Sequence, residues 1–305
     1  MRRWKAHRGK VASLSFSRDG RLLATCTGSG RDVFIWDAMT GELVRKLTVE
    51  DGEAGPSYRE AHCVAFAPDC DLMAVSRYHW VEVWETAGWQ RIAEAHCDSH
   101  HGIPYEVSIG PGPTAAVATS SMSFVSVWRL SGSPVDDALK PVTPAWPIEN
   151  TSQLSFTADG RWLATHTVSR VEVRDPATGA EVQVYEHPRG NYGGPVRFSP
   201  DSSRLAFCYT KTIESHPATL DDTDDVIRYA GHTNKVWALR YTPDGRSLVS
   251  ASSDGTVRVW EAATGLQKQC FEMNVGKMLC ADVSPDGTMA AVGGATGEIV
   301  VWDLE

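Results

Sequence analysis

His232, Ser250 and Asp254 are the residue types of a hydrolytic triad, gathered within one short stretch of the chain. An imidazole held by a carboxylate can take the proton of a serine hydroxyl and so drive acyl transfer. A second candidate is His96-Cys97-Asp98-Ser99-His100-His101, a run dense in metal-ligating side chains. Its spacing fits no tetrahedral zinc signature, so no metal is expected there. A third, Asp221-Asp222-Thr223-Asp224-Asp225, offers hard oxygens but lacks the Gly and closing Glu of a calcium loop. It reads as a solvated connection. No cofactor is implied by any of the three.

The elements that must carry these residues announce themselves by period. Trp36, Trp84, Trp128, Trp260 and Trp302 recur at one place in a strand-like phrase, with Arg174 and Glu214 filling two gaps. The steps are 48, 44, 46, 40, 46 and 42 residues, and a period in the forties marks a repeat architecture. The residue before each of these seven positions is Val or Ile, as in a strand packed on its inner face. Each unit also carries a turn: Ser17-Arg18-Asp19-Gly20, Thr157-Ala158-Asp159-Gly160, Thr242-Pro243-Asp244-Gly245 and Ser284-Pro285-Asp286-Gly287 are the clearest. Asp bonds its own backbone there and Gly takes the left-handed φ. A second turn, as in Ala263-Thr264-Gly265, leads to a fourth, more polar strand.

Four antiparallel strands in each of seven units predict an all-β, seven-bladed propeller over residues 1–305, as one domain. A lone sheet of this kind would leave two faces and two edges open, whereas radial packing covers the faces. The last unit ends after its third strand at Trp302, and Arg2-Arg3-Trp4-Lys5-Ala6 aligns with the end of a fourth strand. Residues 2–6 are therefore expected to form the outer strand of blade 7 and close the ring.

Gly231-His232, Ser250, Asp254 and Trp260-Glu261, with Trp36-Asp37 and Trp302-Asp303, resemble the WD-repeat (WD40) β-propeller family. The resemblance covers essentially the whole chain and implies a buried structural tetrad, not a catalytic triad. Trp260 would donate to Ser250, Ser250 to His232 and His232 to Asp254. Only the sixth unit has all four: Ser29-Gly30 stands where the first blade's Asp belongs, Met122 in the third, and Trp is lost from the fourth and fifth. Hydrophobic packing must then carry most of the ring.

Net charge is −9, and the basic residues concentrate only at Arg2, Arg3, Lys5, Arg8 and Lys10, which argues against a nucleic-acid partner. No apolar run reaches the ~18 residues of a membrane span, so no membrane association is expected. Seven cysteines without a CxxC pair read as reduced thiols in a cytoplasmic protein.

Two units depart from the pattern at the narrow end of the ring, where fourth-to-first and second-to-third strand connections meet. Tyr78 and Met122 stand at the position of Asp254, Trp80 and Phe124 at that of Thr256, and His62 and Tyr105 at that of Trp237. Lys10, Glu60, Tyr192, Lys235 and Lys277 share one position on the same rim. Tyr78, Trp80, Tyr105, Met122, Phe124, Tyr192, Lys235 and Trp237 thus form a candidate partner-binding face, since aromatic anchors dominate interface energetics. The alternative for Trp80 and Phe124 is packing between blades. The expected function is a non-catalytic scaffold binding a protein or peptide, as a monomer or as a subunit of a larger complex. The family implies regulatory or signalling settings and frequent fusion to further domains.

A lactonase-like propeller hydrolase is the other class of function. It would need ligands converging in the central channel, where the positions equivalent to Arg240 read Ser15, Ala65, Ser108, Ser155, Arg197, Arg240 and Asp282. One carboxylate among small residues is a poor metal cage, and Glu60, His62 and Glu106 would add ligands from only two blades.

Overall fold

A computed structural model of the protein describes residues 1–48, 60–97, 105–112, 116–130, 139–142, 145–148, 153–188, 194–218 and 225–304. The chain opens with β1 (Arg2–Lys5). Blade 1 is β2 (Ser13–Phe16), β3 (Leu22–Cys26), β4 (Val33–Asp37) and β5 (Leu43–Leu47). Blade 2 is β6 (Ala61–Phe66), β7 (Leu72–Arg77), β8 (Trp80–Glu85) and β9 (Gln90–His96). Blade 3 is β10 (Glu106–Ile109), β11 (Ala116–Ser120), β12 (Phe124–Leu130) and two short outer pieces, β13 (Leu139–Pro141) and β14 (Trp146–Pro147). Blade 4 is β15 (Gln153–Phe156), β16 (Leu163–His166), β17 (Arg170–Arg174) and β18 (Glu181–Glu186). Blade 5 is β19 (Val196–Phe198), β20 (Arg204–Tyr209), β21 (Thr212–Pro217) and β22 (Ile227–Tyr229). Blade 6 is β23 (Val236–Tyr241), β24 (Ser247–Ser252), β25 (Thr256–Glu261) and β26 (Gln267–Glu272). Blade 7 is β27 (Met278–Val283), β28 (Met289–Gly294) and β29 (Glu298–Asp303).

The fold is the seven-bladed propeller that the repeats predict. Each blade is an antiparallel sheet in sequence order, and β1 completes blade 7 beside β29. Arg2 faces Val301 and Lys5 faces Glu298, and the amides of Ala6 and His7 both reach the Gly297 carbonyl at 3.0 Å. Blade 3 departs from the expected four strands, because its outer layer comes in two pieces on β12. Pro141 faces Trp128 and Pro147 faces Phe124; proline cannot donate to a ladder and suits an edge.

The turns work as their residues dictate. The Ser17 hydroxyl donates to Asp19 at 2.6 Å, and that carboxylate accepts the Arg21 amide at 3.1 Å while Gly20 sits at φ 69°. Thr157 with Asp159, Ser199 with Asp201, Thr242 with Asp244 and Ser284 with Asp286 repeat the hydroxyl–carboxylate bond. Those hydroxyls hold the last four carboxyls below their ordinary pKa.

The core lies between blades. Each of seven apolar clusters joins two neighbours, as where Val83 and Val81 of blade 2 meet Val107, Val117 and Trp128 of blade 3. The free edges of the inner strands are met by side chains of the preceding blade. Ser15 accepts the Phe66 amide at 3.1 Å, Ser155 the Phe198 amide at 3.2 Å and Asp282 the Phe16 amide at 2.8 Å.

Candidate functional site

The triad-like residues of blade 6 form one buried chain. The Trp260 indole donates to the Ser250 hydroxyl at 2.8 Å, Ser250 meets His232 Nε2 at 2.7 Å, and His232 Nδ1 meets Asp254 at 2.8 Å. Because the serine is tied to an indole N–H and has no exposed surface, it presents no nucleophile to solvent. Burial opposes charge on Asp254, yet Thr256 and His232 together hold its carboxyl well below the usual range.

Other blades fill the same space differently. In blade 1, Thr25 accepts from the Trp36 indole and meets His7 Nε2, each at 2.9 Å. The carboxylate whose charge reaches His7 is Asp32, which also bonds Thr48 and Lys46. In blade 7, Val292 stands two residues beyond the partner of Trp302, and among the described residues that indole N–H has no acceptor. Blades 2, 4 and 5 substitute buried carboxylates. Glu82 binds Arg77 at 2.8 Å, both side chains 1% exposed, and accepts the Trp84 indole N–H at 3.1 Å. Glu172 lies between Arg170 at 2.6 Å and Arg174 at 2.9 Å. Glu214 lies between Arg228 at 2.9 Å and His216 at 3.2 Å. The sequence carried a signal for the first two: an acid between two valines, at Val81-Glu82-Val83 and Val171-Glu172-Val173.

The central channel holds a cavity of about 510 Å³. It runs from Gln153 and Trp237 at the narrow mouth to Pro111, Pro200 and Pro243 of the turns at the far end. Its charged groups pair across blades. Arg240 meets Asp282 of blade 7 at 2.7 Å, and Arg197 of blade 5 reaches past blade 4 towards Glu106 of blade 3, at 3.9 Å. Gln153 likewise passes blade 5 to donate to the Trp237 carbonyl at 3.3 Å. Burial raises the Glu106 pKa against the pull of Arg197 and Arg240. The channel carboxylates therefore face guanidinium groups, and among the described residues no three His, Cys, Asp or Glu side chains converge as a metal cage. His100, His101 and most of the aspartate cluster lie outside the described residues.

At the mouth, β-bulges set the side chains. The registers of β6, β23 and β27 each slip by one residue, at His62, Trp237 and Leu279, and such slips re-aim a side chain out of the ladder. The Trp237 indole is anchored on the Ser253 hydroxyl at 2.6 Å, with the Lys235 ammonium 4.0 Å from the ring centroid. His62 packs edge-on against Tyr105, centroids 5.6 Å apart. Tyr105 is 43% exposed and Met122 52%. Tyr78 and Phe124 are half-buried, and Trp80 turns outward to pack on His96 of the outer strand, centroids 4.8 Å apart. Tyr192 lies outside the described residues.

One further cluster escaped the sequence reading. His166, at the end of β16, has no exposed surface, and its Nε2 lies 2.9 Å from Nε2 of His187. The Gly194 amide donates to His166 Nδ1 at 3.2 Å, which puts the ring hydrogen on Nε2. His187 donates from Nδ1 to the Pro188 carbonyl at 2.9 Å, which leaves its Nε2 to accept. Both rings are thus fixed as neutral tautomers. Burial and the neighbouring His187 bring His166 down to about 3.

Three stretches of the chain, residues 1–37, 224–261 and 268–303, match the family described as WD domain, G-beta repeat. They end at Trp36-Asp37, Trp260-Glu261 and near Trp302-Asp303, the phrases in which the tryptophan is kept. The chain is 24% identical to apoptotic protease-activating factor 1 of Danio rerio over 301 residues, 96% of this chain and 22% of that protein. It is 29% identical over 185 residues to an uncharacterized WD repeat-containing protein of Synechocystis, 60% of this chain and 48% of that one. Against the guanine nucleotide-binding protein subunit beta of Solanum tuberosum it is 33% identical over 98 residues, 32% of this chain and 26% of that subunit. The chain therefore spans less than half the length of each of these relatives. With seven in-phase blades and matched repeats on both sides of the closure, the chain is a seven-bladed β-propeller that carries three repeats of the WD domain, G-beta repeat family.

Proposed function

We propose that this propeller is a non-catalytic interaction scaffold that holds a peptide or protein edge across its narrow face. One observation carries the reading: the mouth has exposed Tyr105 and Met122 on blade 3 and, on blade 6, a bulge-aimed Trp237. Exposed apolar side chains grouped at a rim are where partners bury surface. Tyr78, Trp80 and Phe124 extend the surface, and Lys235 supplies a directed charge over Trp237. The likeness to a G-protein beta subunit and to apoptotic protease-activating factor 1 supports a protein partner and a signalling role. The odd set of seven cysteines, without a CxxC pair, supports a reducing compartment such as the cytoplasm. Affinity capture with mass spectrometry, run on wild type and on a Tyr78→Ala, Tyr105→Ala, Trp237→Ala variant, tests this. Partners are expected to be lost at unchanged melting temperature; retention of every partner would assign binding to another face.

A further inference from the structure

The narrow face is divided by charge. In a chain of net charge −9, four consecutive blades present a lysine at this end of the ring. Lys10, Lys235 and Lys277 stand just before the inner strands β2, β23 and β27, and Lys211 lies in the β20–β21 turn of blade 5. The Val236 amide bonds the Thr210 carbonyl at 2.9 Å, which draws that turn against the start of blade 6. Lys10, Lys211 and Lys277 are exposed, and none has an ion-pair partner among the described residues. Carboxylates at the same end are engaged: Asp32 with Lys46 at 2.9 Å, Asp254 with His232, and Glu298 with the Thr296 hydroxyl at 3.0 Å. Glu60 belongs to blade 2, outside the arc, and Glu272 to the outer strand of blade 6, opposite Thr256.

Beneath the arc, Arg197 turns a guanidinium into the channel. Its Nη1 donates to the Leu154 and Val196 carbonyls, but Nη2 stands 3.9 Å from Glu106, beyond hydrogen-bond length. Across the mouth the surface changes character, to Tyr105 and Met122 of blade 3. A ligand crossing this face meets ammonium groups on one half and an apolar rim on the other.

We propose that the occupant is an acidic peptide segment, its carboxylates over the lysines of blades 5, 6, 7 and 1 and an apolar side chain against Tyr105 and Met122. This rests on the narrow face being the binding face. A polynucleotide would satisfy the lysines equally, but Glu106 and Asp282 line the channel below, and the rest of the chain repels a phosphate backbone.

Selection of short random peptides displayed against the full chain tests the proposal, followed by fluorescence anisotropy with labelled winners. The winners should be rich in Asp and Glu beside an aromatic or aliphatic residue. Their affinity should fall about tenfold or more in a Lys10→Glu, Lys211→Glu, Lys277→Glu variant of unchanged melting temperature, and again when salt rises from about 0.05 to about 0.5 M. Tyr105→Ala with Met122→Ala should weaken binding separately. Basic or uncharged winners, no winners, indifference to lysine reversal, or preference for a labelled oligonucleotide each overturn the proposal. Loss on Tyr105→Ala with Met122→Ala but not on lysine reversal keeps the narrow face and removes the acidic ligand. Indifference to both sets of substitutions removes the face as well.

Discussion

Acid should unfold this protein through histidines that the fold keeps neutral. His166 is the clearest: its Nδ1 already accepts the Gly194 amide and its Nε2 hydrogen points at His187, so a second proton has no place without breaking a bond. Its pKa falls from 6.5 to about 3 on folding, chiefly through burial. A histidine with a depressed folded pKa costs nothing above 6.5, where it is neutral in both states. As pH drops, the unfolded chain takes up the proton first, and stability is lost down to the folded pKa. At pH 5 the gap is about 1.5 units, or about 2 kcal/mol for His166. His7, brought down to about 4 by burial against the pull of Asp32, adds about 2 kcal/mol by the same reasoning. His62, His79, His187, His216 and His232 shift in the same direction, burial being the first cause for each. Glu106, raised by burial, works the other way and gains stability as pH falls.

A paired design isolates one ring from these background groups. Urea unfolding followed by tryptophan fluorescence at pH 7.5 and pH 5 gives the acid loss for wild type and for His166→Gln. The variant should start less stable at pH 7.5, having lost the bond to His187. It should then lose about 2 kcal/mol less than wild type on going to pH 5. Equal losses in the two proteins would refute the neutral-pair reasoning, whatever the absolute stabilities.

Removing residues 1–6 takes away β1, its register with β29 and the packing of Trp4 on Trp36, whose ring centroids lie 6.2 Å apart. A half-buried tryptophan and a four-residue ladder together amount to roughly 3–5 kcal/mol. Calorimetry should show the melting temperature falling by about 10 °C; an unmoved transition would mean that the ring does not depend on this closure. Arg77→Ala leaves the Glu82 carboxylate, 1% exposed, to the Trp84 indole at 3.1 Å and Arg91 at 3.4 Å, and should cost about 3 kcal/mol in urea unfolding. Adding Glu82→Leu should recover most of that loss, and a double variant no better than the single would show that the ion pair is not the source.

The ring was legible because its signals are local and repeat in phase. Asp19, Asp159, Asp201, Asp244 and Asp286 each bond a hydroxyl two residues earlier, so each turn is written within its own few residues. The fourth member of the blade 7 sheet could be found for the same reason, since β1 had to align with other outer strands. What stayed hidden has no recurring spacing. The partners of Glu82 lie before it at Arg77 and after it at Arg91, those of Glu172 two residues to either side, and those of Glu214 at His216 and, in the next strand, at Arg228. No fixed spacing joins these pairs. The bulges at His62, Trp237 and Leu279 leave no trace in the period either, because a one-residue slip is absorbed by loops of varying length.

These substitutions bear on the mouth. A buried indole or carboxylate needs its partners satisfied, but the source of the partner is immaterial to the blade. Glu82 takes the Trp84 indole N–H in blade 2 as Ser250 takes that of Trp260 in blade 6. Once Arg77 and Glu82 hold blade 2 from within, the turn between β7 and β8 no longer has to supply a capping aspartate. Tyr78 can then stand where blade 6 keeps Asp254. The departure of blade 2 from the repeat thus frees the rim position that Tyr78 takes, whereas Trp237 stands on blade 6, where the tetrad is kept and the inner strand's bulge re-aims the side chain instead.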